Sequence, residues 1–173
     1  RDIREMGGLL KRMPITSVTF IIGILALGGI PPLSGFFSKD EIMISVLNGG
    51  NPLLFVLTLI AALMSALYMS RLLFLVVLGD LKSENDHAHE SPLVMTLPLC
   101  VFATLSIITG LIATGLTPIY DGIGNWIFAE QPEPYHINYL VMTFSVLISI
   151  VGFILGWAFY SSNLLSTARI TAK

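Results

Sequence analysis

The chain has 173 residues, 9 of them Lys or Arg and 11 Asp or Glu, so that only 12% are charged, where a soluble domain carries about 25%. Apolar residues make up 54%, which excludes disorder and leaves long uncharged stretches that must face something other than water. A net charge of −2 and a single cysteine, Cys100, exclude a basic nucleic-acid footprint, a disulfide framework and any four-cysteine metal or iron–sulfur centre.

Residues 1–13 form a polar amphipathic arm that starts at Arg1 with no secretory signal pattern. The expectation is an internal piece of a longer protein, with a processed chain as the alternative. A spanning helix needs about 20 mostly apolar residues, and four segments qualify: 14–48, 52–78, 92–117 and 138–162. Polar segments 79–91 and 118–137 connect the last three, and 163–173 form a tail. The fold expected is an all-α polytopic transmembrane helix bundle of about four spans, the first of them discontinuous.

That first segment is too long for one plain helix, because 35 residues reach roughly 52 Å at 1.5 Å per residue. Its middle reads Gly28-Gly29-Ile30-Pro31-Pro32-Leu33-Ser34-Gly35. Pro31 and Pro32 remove two amide donors and push Ile30 out of the α region. Open backbone at membrane depth survives only against protein or a water-filled cavity. If 14–48 crosses once, the arm, the 79–91 loop and the tail share one side and hold seven Lys and Arg, against none opposite. If it crosses twice, the split is four to three. The positive-inside rule favours one broken crossing, with the arm cytoplasmic.

Sixteen of the twenty charges lie in the arm, loops and tail; Lys39, Asp40, Glu41 and Arg71 do not. Ionisable residues within spans default to functional hypotheses. Ser38-Lys39-Asp40-Glu41 has capping-box spacing, with Ser38 as N-cap of the resuming helix and Glu41 at its third position. Acidic side chains suit a helix N-terminus, so capping accounts for Asp40 and Glu41 but not for Lys39. There the dipole and burial disfavour the ammonium while Asp40 and Glu41 favour it, the balance a protonatable lysine requires. A structural ion pair is the alternative. Arg71 stays protonated, and either snorkels to the interface or tunes neighbouring charges.

Asp86-His87-Ala88-His89-Glu90 has the residue types of a metal site, but two histidines two apart on a polar loop read better as solvated, and no metal is expected. His136, Trp126 and Trp157 suit membrane boundaries, and Cys100 reads as a packing residue. There is no G-x-G-x-x-G, P-loop or haem-attachment motif, so no NADH, flavin or nucleotide site is expected here.

The D-I-R-x-M-G-G-L arm, the L-A-L-x-G-I-P-P-L-S-G-F break and the F-S-K-D-E-I restart together resemble the antiporter-like subunit L family of proton-pumping NADH-quinone oxidoreductase, respiratory complex I. Ser65-Ala66-Leu67-Tyr68-Met69-Ser70-Arg71 and His87-Ala88-His89-Glu90-Ser91-Pro92 extend the resemblance to about residue 115; beyond Pro118 only the hydropathy pattern matches. The resemblance implies a proton-translocating membrane subunit several times longer than this chain, built from inverted repeats with one broken helix each. It places a terminal channel lysine on Lys39 as proton relay, its acidic partner on Asp40, and no firm role on Glu41 or Arg71. Helix-break positions would be Gly29, Pro31, Pro32, Ser34, Gly35 and Ser38. NADH, FMN, iron–sulfur clusters and quinone would belong to partner subunits, with other membrane-arm subunits, lipid and protons as this chain's partners. A bacterial inner membrane, or an organellar inner or thylakoid membrane, would hold it. A multisubunit Na+/H+ antiporter, a membrane-bound hydrogenase, or a non-conducting scaffold with Lys39 in a static ion pair are the alternatives.

Overall fold

A computed structural model describes residues 3, 6–79, 88–113 and 139–160. Among these every regular element is helical. A short helix α1 (Leu9–Arg12) leads into α2 (Pro14–Gly28), which starts on a proline at its first position, where a missing N–H costs nothing. After the break comes α3 (Ser34–Asn48), then α4 (Pro52–Leu72), opened by Pro52 and capped by the Asn51 side chain accepting from the Leu54 amide at 3.3 Å. A π-helical turn, Leu73–Val77, continues α4. Helices α5 (Leu93–Ala113) and α6 (Tyr139–Tyr160) complete the described bundle.

Among the described residues three helices are long and apolar enough to cross a membrane: Pro52–Val77, Leu93–Ile112 and Tyr139–Tyr160, with Pro14–Gly28 as a shorter apolar helix. Segment 118–137 and the tail lie outside the described residues, as do Asp86, His87, Trp126 and His136.

Helix α4 shows how the broken segment runs. Leu73, Val76 and Val77, at its end, cluster with Ile24 and the half-buried Leu9, Leu10 and Ile21. Ser65 lies opposite Leu27 and Lys39. Ala62 clusters with Met43, and Phe55 and Leu59 pack there with Ile44. The chain from Leu9 to Ile44 therefore passes α4 once, antiparallel, from one end to the other.

Among the described helices the α4–α6 pair packs most extensively. The buried face of α6 is Val141, Ser145, Ser149, Gly152 and Gly156, at helical spacing, and α4 answers with Ala62, Ala66 and Ser70. Small residues let two backbones approach, the usual basis of helix association where lipid supplies no hydrophobic drive. A Cβ at Gly152 would press on Ala66, and one at Gly156 on Ser70. On the other side, α5 follows α2 in parallel: Leu99, Phe102 and Ala103 lie beside Thr19, Phe20 and Gly23, and Ser106 meets Ser34 at 3.0 Å.

Candidate functional site: the broken helix at Lys39

Helix α2 ends because Gly29 adopts a left-handed conformation, φ 79°, that a glycine takes without steric cost. The Gly29 amide donates to Ala26 O and the Ile30 amide to Leu25 O, each at 3.0 Å, which closes the helix in a Schellman pattern. Two carbonyls lie beyond this closure, Leu27 and Gly28. In a continuous helix they would accept from residues 31 and 32, and both are proline. The double proline thus frees the carbonyls of Leu27 and Gly28 within the bundle, where an unpaired carbonyl is costly.

The Lys39 ammonium fills that need. Nζ donates to Leu27 O at 2.6 Å and to Ser65 Oγ at 2.7 Å. The Ser65 hydroxyl donates in turn to Ala62 O at 2.9 Å. Lys39 thus reaches back from α3 to the negative end of the α2 dipole, where a cation is favoured. Two further contacts make this reach possible. A Cβ at Gly35 would overlap the Ala26 carbonyl, so the absence of a side chain lets α3 start against the last turn of α2. A Cβ at Gly29 would sit 3.2 Å from both Lys39 Cδ and Ser149 Oγ, so the lysine stem passes between the break and α6. Ser65 is at the middle of the Pro52–Val77 span, so the Lys39 ammonium stands level with the middle of that apolar helix. A groove of about 220 Å³ opens beside it, lined by Lys39, Ile42, Met43, Thr58, Ala61, Ala62 and Ser65.

The restart of the helix corrects the capping-box expectation. Helix α3 begins at Ser34, with Leu33 extended as its N-cap and no side-chain cap. Ser38 lies inside α3 and its hydroxyl donates to Gly35 O at 3.2 Å. Glu41 is in the third turn, exposed, and caps nothing. A proline contributes no donor and Leu33 is already extended, so α3 can start immediately after them. Asp40 is 3% exposed, and its buried Oδ1 has no hydrogen-bond partner among the described residues. Lys39 makes no ion pair with Asp40 or Glu41; both of its partners are neutral.

Arg71 lies six residues before the end of the α4 span, its guanidinium carbon 5.6 Å from the Tyr160 ring centroid and its buried Nε without a hydrogen-bond partner among the described residues. Cys100 is exposed on α5. No three His, Cys, Asp or Glu side chains come together in a metal-holding group among the described residues.

Sequence reasoning missed three participants. Ser65 was visible only as part of a motif, because nothing local marks a hydroxyl 26 residues from its lysine. The Leu27 carbonyl was legible in principle, four residues before a proline. Glu90 belongs to a loop whose composition reads as solvated, yet its carboxylate caps α2 from 75 residues away. Oε2 accepts from the Ile15 amide at 2.8 Å, and Oε1 from the Thr16 amide at 3.2 Å and the Thr16 hydroxyl at 2.5 Å. These hydrogen bonds, the Thr16 hydroxyl foremost, hold its carboxyl below the ordinary glutamate value.

Residues 1–65 match the family described as NADH:quinone oxidoreductase/Mrp antiporter, TM. Over 100% of this chain and 30% of its own length, NAD(P)H-quinone oxidoreductase chain 5 of Picosynechococcus sp. is 34% identical. NADH-quinone oxidoreductase subunit L of Rickettsia bellii is 35% identical over 94% of this chain and 27% of its own. The chloroplastic NAD(P)H-quinone oxidoreductase subunit 5 of Chara vulgaris is 35% identical over 93% and 26%. The chain spans less than a third of the length of these curated relatives.

Proposed function

The chain belongs to the NADH:quinone oxidoreductase/Mrp antiporter family of integral membrane subunits, and we propose that it forms part of a proton path in a proton-translocating NADH:quinone oxidoreductase. The redox chemistry, with NADH, FMN, iron–sulfur clusters and quinone, belongs in this reading to partner subunits. Other membrane-arm subunits and the lipid bilayer are its surroundings.

One observation carries the reading. A lysine ammonium stands level with the middle of an apolar span, held by two neutral acceptors, one of which a helix break has freed. Broken helices at a midplane site are the general transporter design. A charge held by neutral dipoles is easier to discharge than one locked in an ion pair, so Lys39 can take and release a proton as neighbouring charges change. Leu27 O and the Ser65 hydroxyl steady the charged form. Asp40, one residue on and buried, biases that equilibrium through its charge. The neutral partners of Lys39 also speak against the scaffold alternative, which requires a tight Lys39–Asp40 or Lys39–Glu41 pair. Arg71, held against Tyr160, anchors α4 to α6 and sets the local potential.

The test is Lys39→Ala in the intact complex. Protons pumped per NADH oxidised should fall while assembly is retained; an unchanged ratio in a fully assembled complex would refute the relay role. The family description also names Mrp antiporters. Flux driven by a sodium gradient in the absence of quinone reduction would move the chain to that branch.

A further inference from the structure

Glu90 and Lys39 hold the two ends of one helix. The Glu90 carboxylate accepts from the Ile15 and Thr16 amides and from the Thr16 hydroxyl, in the first turn of α2. The Lys39 ammonium donates to Leu27 O in its last turn. From Thr16 to Leu27 the helix is unbroken and covers roughly 17 Å at 1.5 Å per residue. A hydrogen-bonded helix moves as a rigid element, so a shift at its first turn reappears at its last.

The segment that supplies Glu90 also grips the far side of the break. Glu90 stands three residues before α5, and the link is capped: Pro92 O accepts from the Met95 and Thr96 amides at 2.9 and 3.2 Å. Among the described helices α5 packs chiefly on α2 and α3, the two halves of the broken helix. Past the break, Ser106 meets Ser34 at 3.0 Å. One turn further, Gly110 lies on the backbone of the double-proline segment. A Cβ there would overlap Pro32 O and stand 2.8 Å from Leu33 C and from Ser34 N, so the missing side chain lets α5 come this close. Glu90 and α5 therefore hold the start of α2 and the start of α3 in one fixed relation. Lys39 is carried by α3 and its acceptor, Leu27 O, by α2, so that relation sets their separation.

We propose that α5 splints the break and that Glu90 is a positioning residue for Lys39: the carboxylate fixes where α2 stands along α5, and thereby where Leu27 O stands for the ammonium. Thr16, which Glu90 holds, is about three helical turns from Leu27, so the effect passes through α2 and not through contact with the lysine. This deepens the relay reading and rests on it. A hydrogen bond weakens steeply with distance and angle, so a small axial slip of α2 is enough to cost Lys39 its carbonyl.

Glu90→Ala in the intact complex, reconstituted into proteoliposomes, tests this. Protons pumped per NADH should fall by about fivefold with assembly retained. Hydrogen exchange at the Ile30 amide, which closes α2 on Leu25 O, should quicken. Glu90→Gln keeps one acceptor oxygen and should recover part of both. On a Pro31→Ala background, where an amide already competes for Leu27 O, Glu90→Ala should cost little more; a residue with a merely structural role would add its full loss. Thr16→Val removes one donor and leaves the carboxylate. It should give the same changes in smaller measure, and it carries the test if Glu90→Ala does not assemble. A wild-type pumping ratio in the assembled variant, unchanged exchange at Ile30, or a full further loss on the Pro31→Ala background would each overturn the splint. Failure of the relay reading shows elsewhere, as a wild-type ratio in Lys39→Ala alone, while exchange at Ile30 reads the splint without reference to pumping.

Discussion

The Lys39 ammonium stands 2.6 Å from the carbonyl oxygen of Leu27, the acceptor that an unbroken helix would give to the amide of residue 31. Proline at 31 has no amide hydrogen, so the lysine takes a position vacated by the sequence itself. Pro31→Ala should put an N–H back in competition for Leu27 O and raise local helix propensity by about 3 kcal/mol. Proton uptake into proteoliposomes holding the intact complex should drop by about tenfold, the rate equivalent of about 1.4 kcal/mol, with assembly unchanged. Wild-type uptake in an assembled Pro31→Ala complex would mean that the relay does not depend on the freed carbonyl.

Ser65 is the second partner, 2.7 Å from Lys39 Nζ. A hydrogen bond to a charged group contributes about 1.5–3 kcal/mol, so Ser65→Ala leaves the ammonium one acceptor short. Turnover in the complex should fall by about tenfold or more, and the pH profile of pumping should move. Ser65→Thr keeps the hydroxyl and should keep the wild-type profile. Equal profiles for the Ala and Thr variants would reduce Ser65 to a packing residue.

The break was legible because proline acts locally: the positions of Pro31 and Pro32 fix where the helix must open whatever surrounds it. The restart was not, because Ser38-Lys39-Asp40-Glu41 has the residue pattern of a capping box while lying inside a helix that Pro32 and Leu33 allow to begin at Ser34. Charge counting favoured a single passage of 14–48, and the order of contacts along α4 runs once from end to end. What could not be read was any relation between distant segments. Ser65 on Lys39, Glu90 on Thr16 and Tyr160 on Arg71 are products of packing, and each residue alone has an ordinary local explanation.

Glu90 makes the N-terminus of α2 depend on pH. Hydrogen bonds from the Thr16 hydroxyl and from the amides of Ile15, Thr16 and Ser91 favour its ionised form and hold its carboxyl below the ordinary glutamate value. A lowered value in the folded state means that the cap stabilises fully above about pH 4.5 and is lost as pH falls through the lower folded value. Hydrogen exchange at the amides of Ile15 and Thr16 should therefore be slow at neutral pH and accelerate in acid. Glu90→Gln should exchange faster at neutral pH and lose most of that dependence. If the two amides exchange alike in both proteins at neutral pH, the carboxylate is not their acceptor.

The tight packing of α4 on α6 at Gly156 gives the last prediction. Ser70 is fully buried, and a Cβ at Gly156 would overlap its hydroxyl oxygen and its Cβ. Gly156→Ala must therefore push the helices apart or displace Ser70, and overpacking of this kind costs about 1–3 kcal/mol. Arg71 follows Ser70 directly and lies over Tyr160, four residues beyond Gly156, so the shift should also loosen the guanidinium from its ring. Gly156→Ala should lower the thermal midpoint of the full-length protein in detergent. Ser70→Gly, which removes the obstructing side chain, should recover most of the loss when combined with it. That recovery is a coupling between neighbouring sites, measured as a double-mutant cycle. Additive losses in the double variant would show that the helices do not meet at this pair.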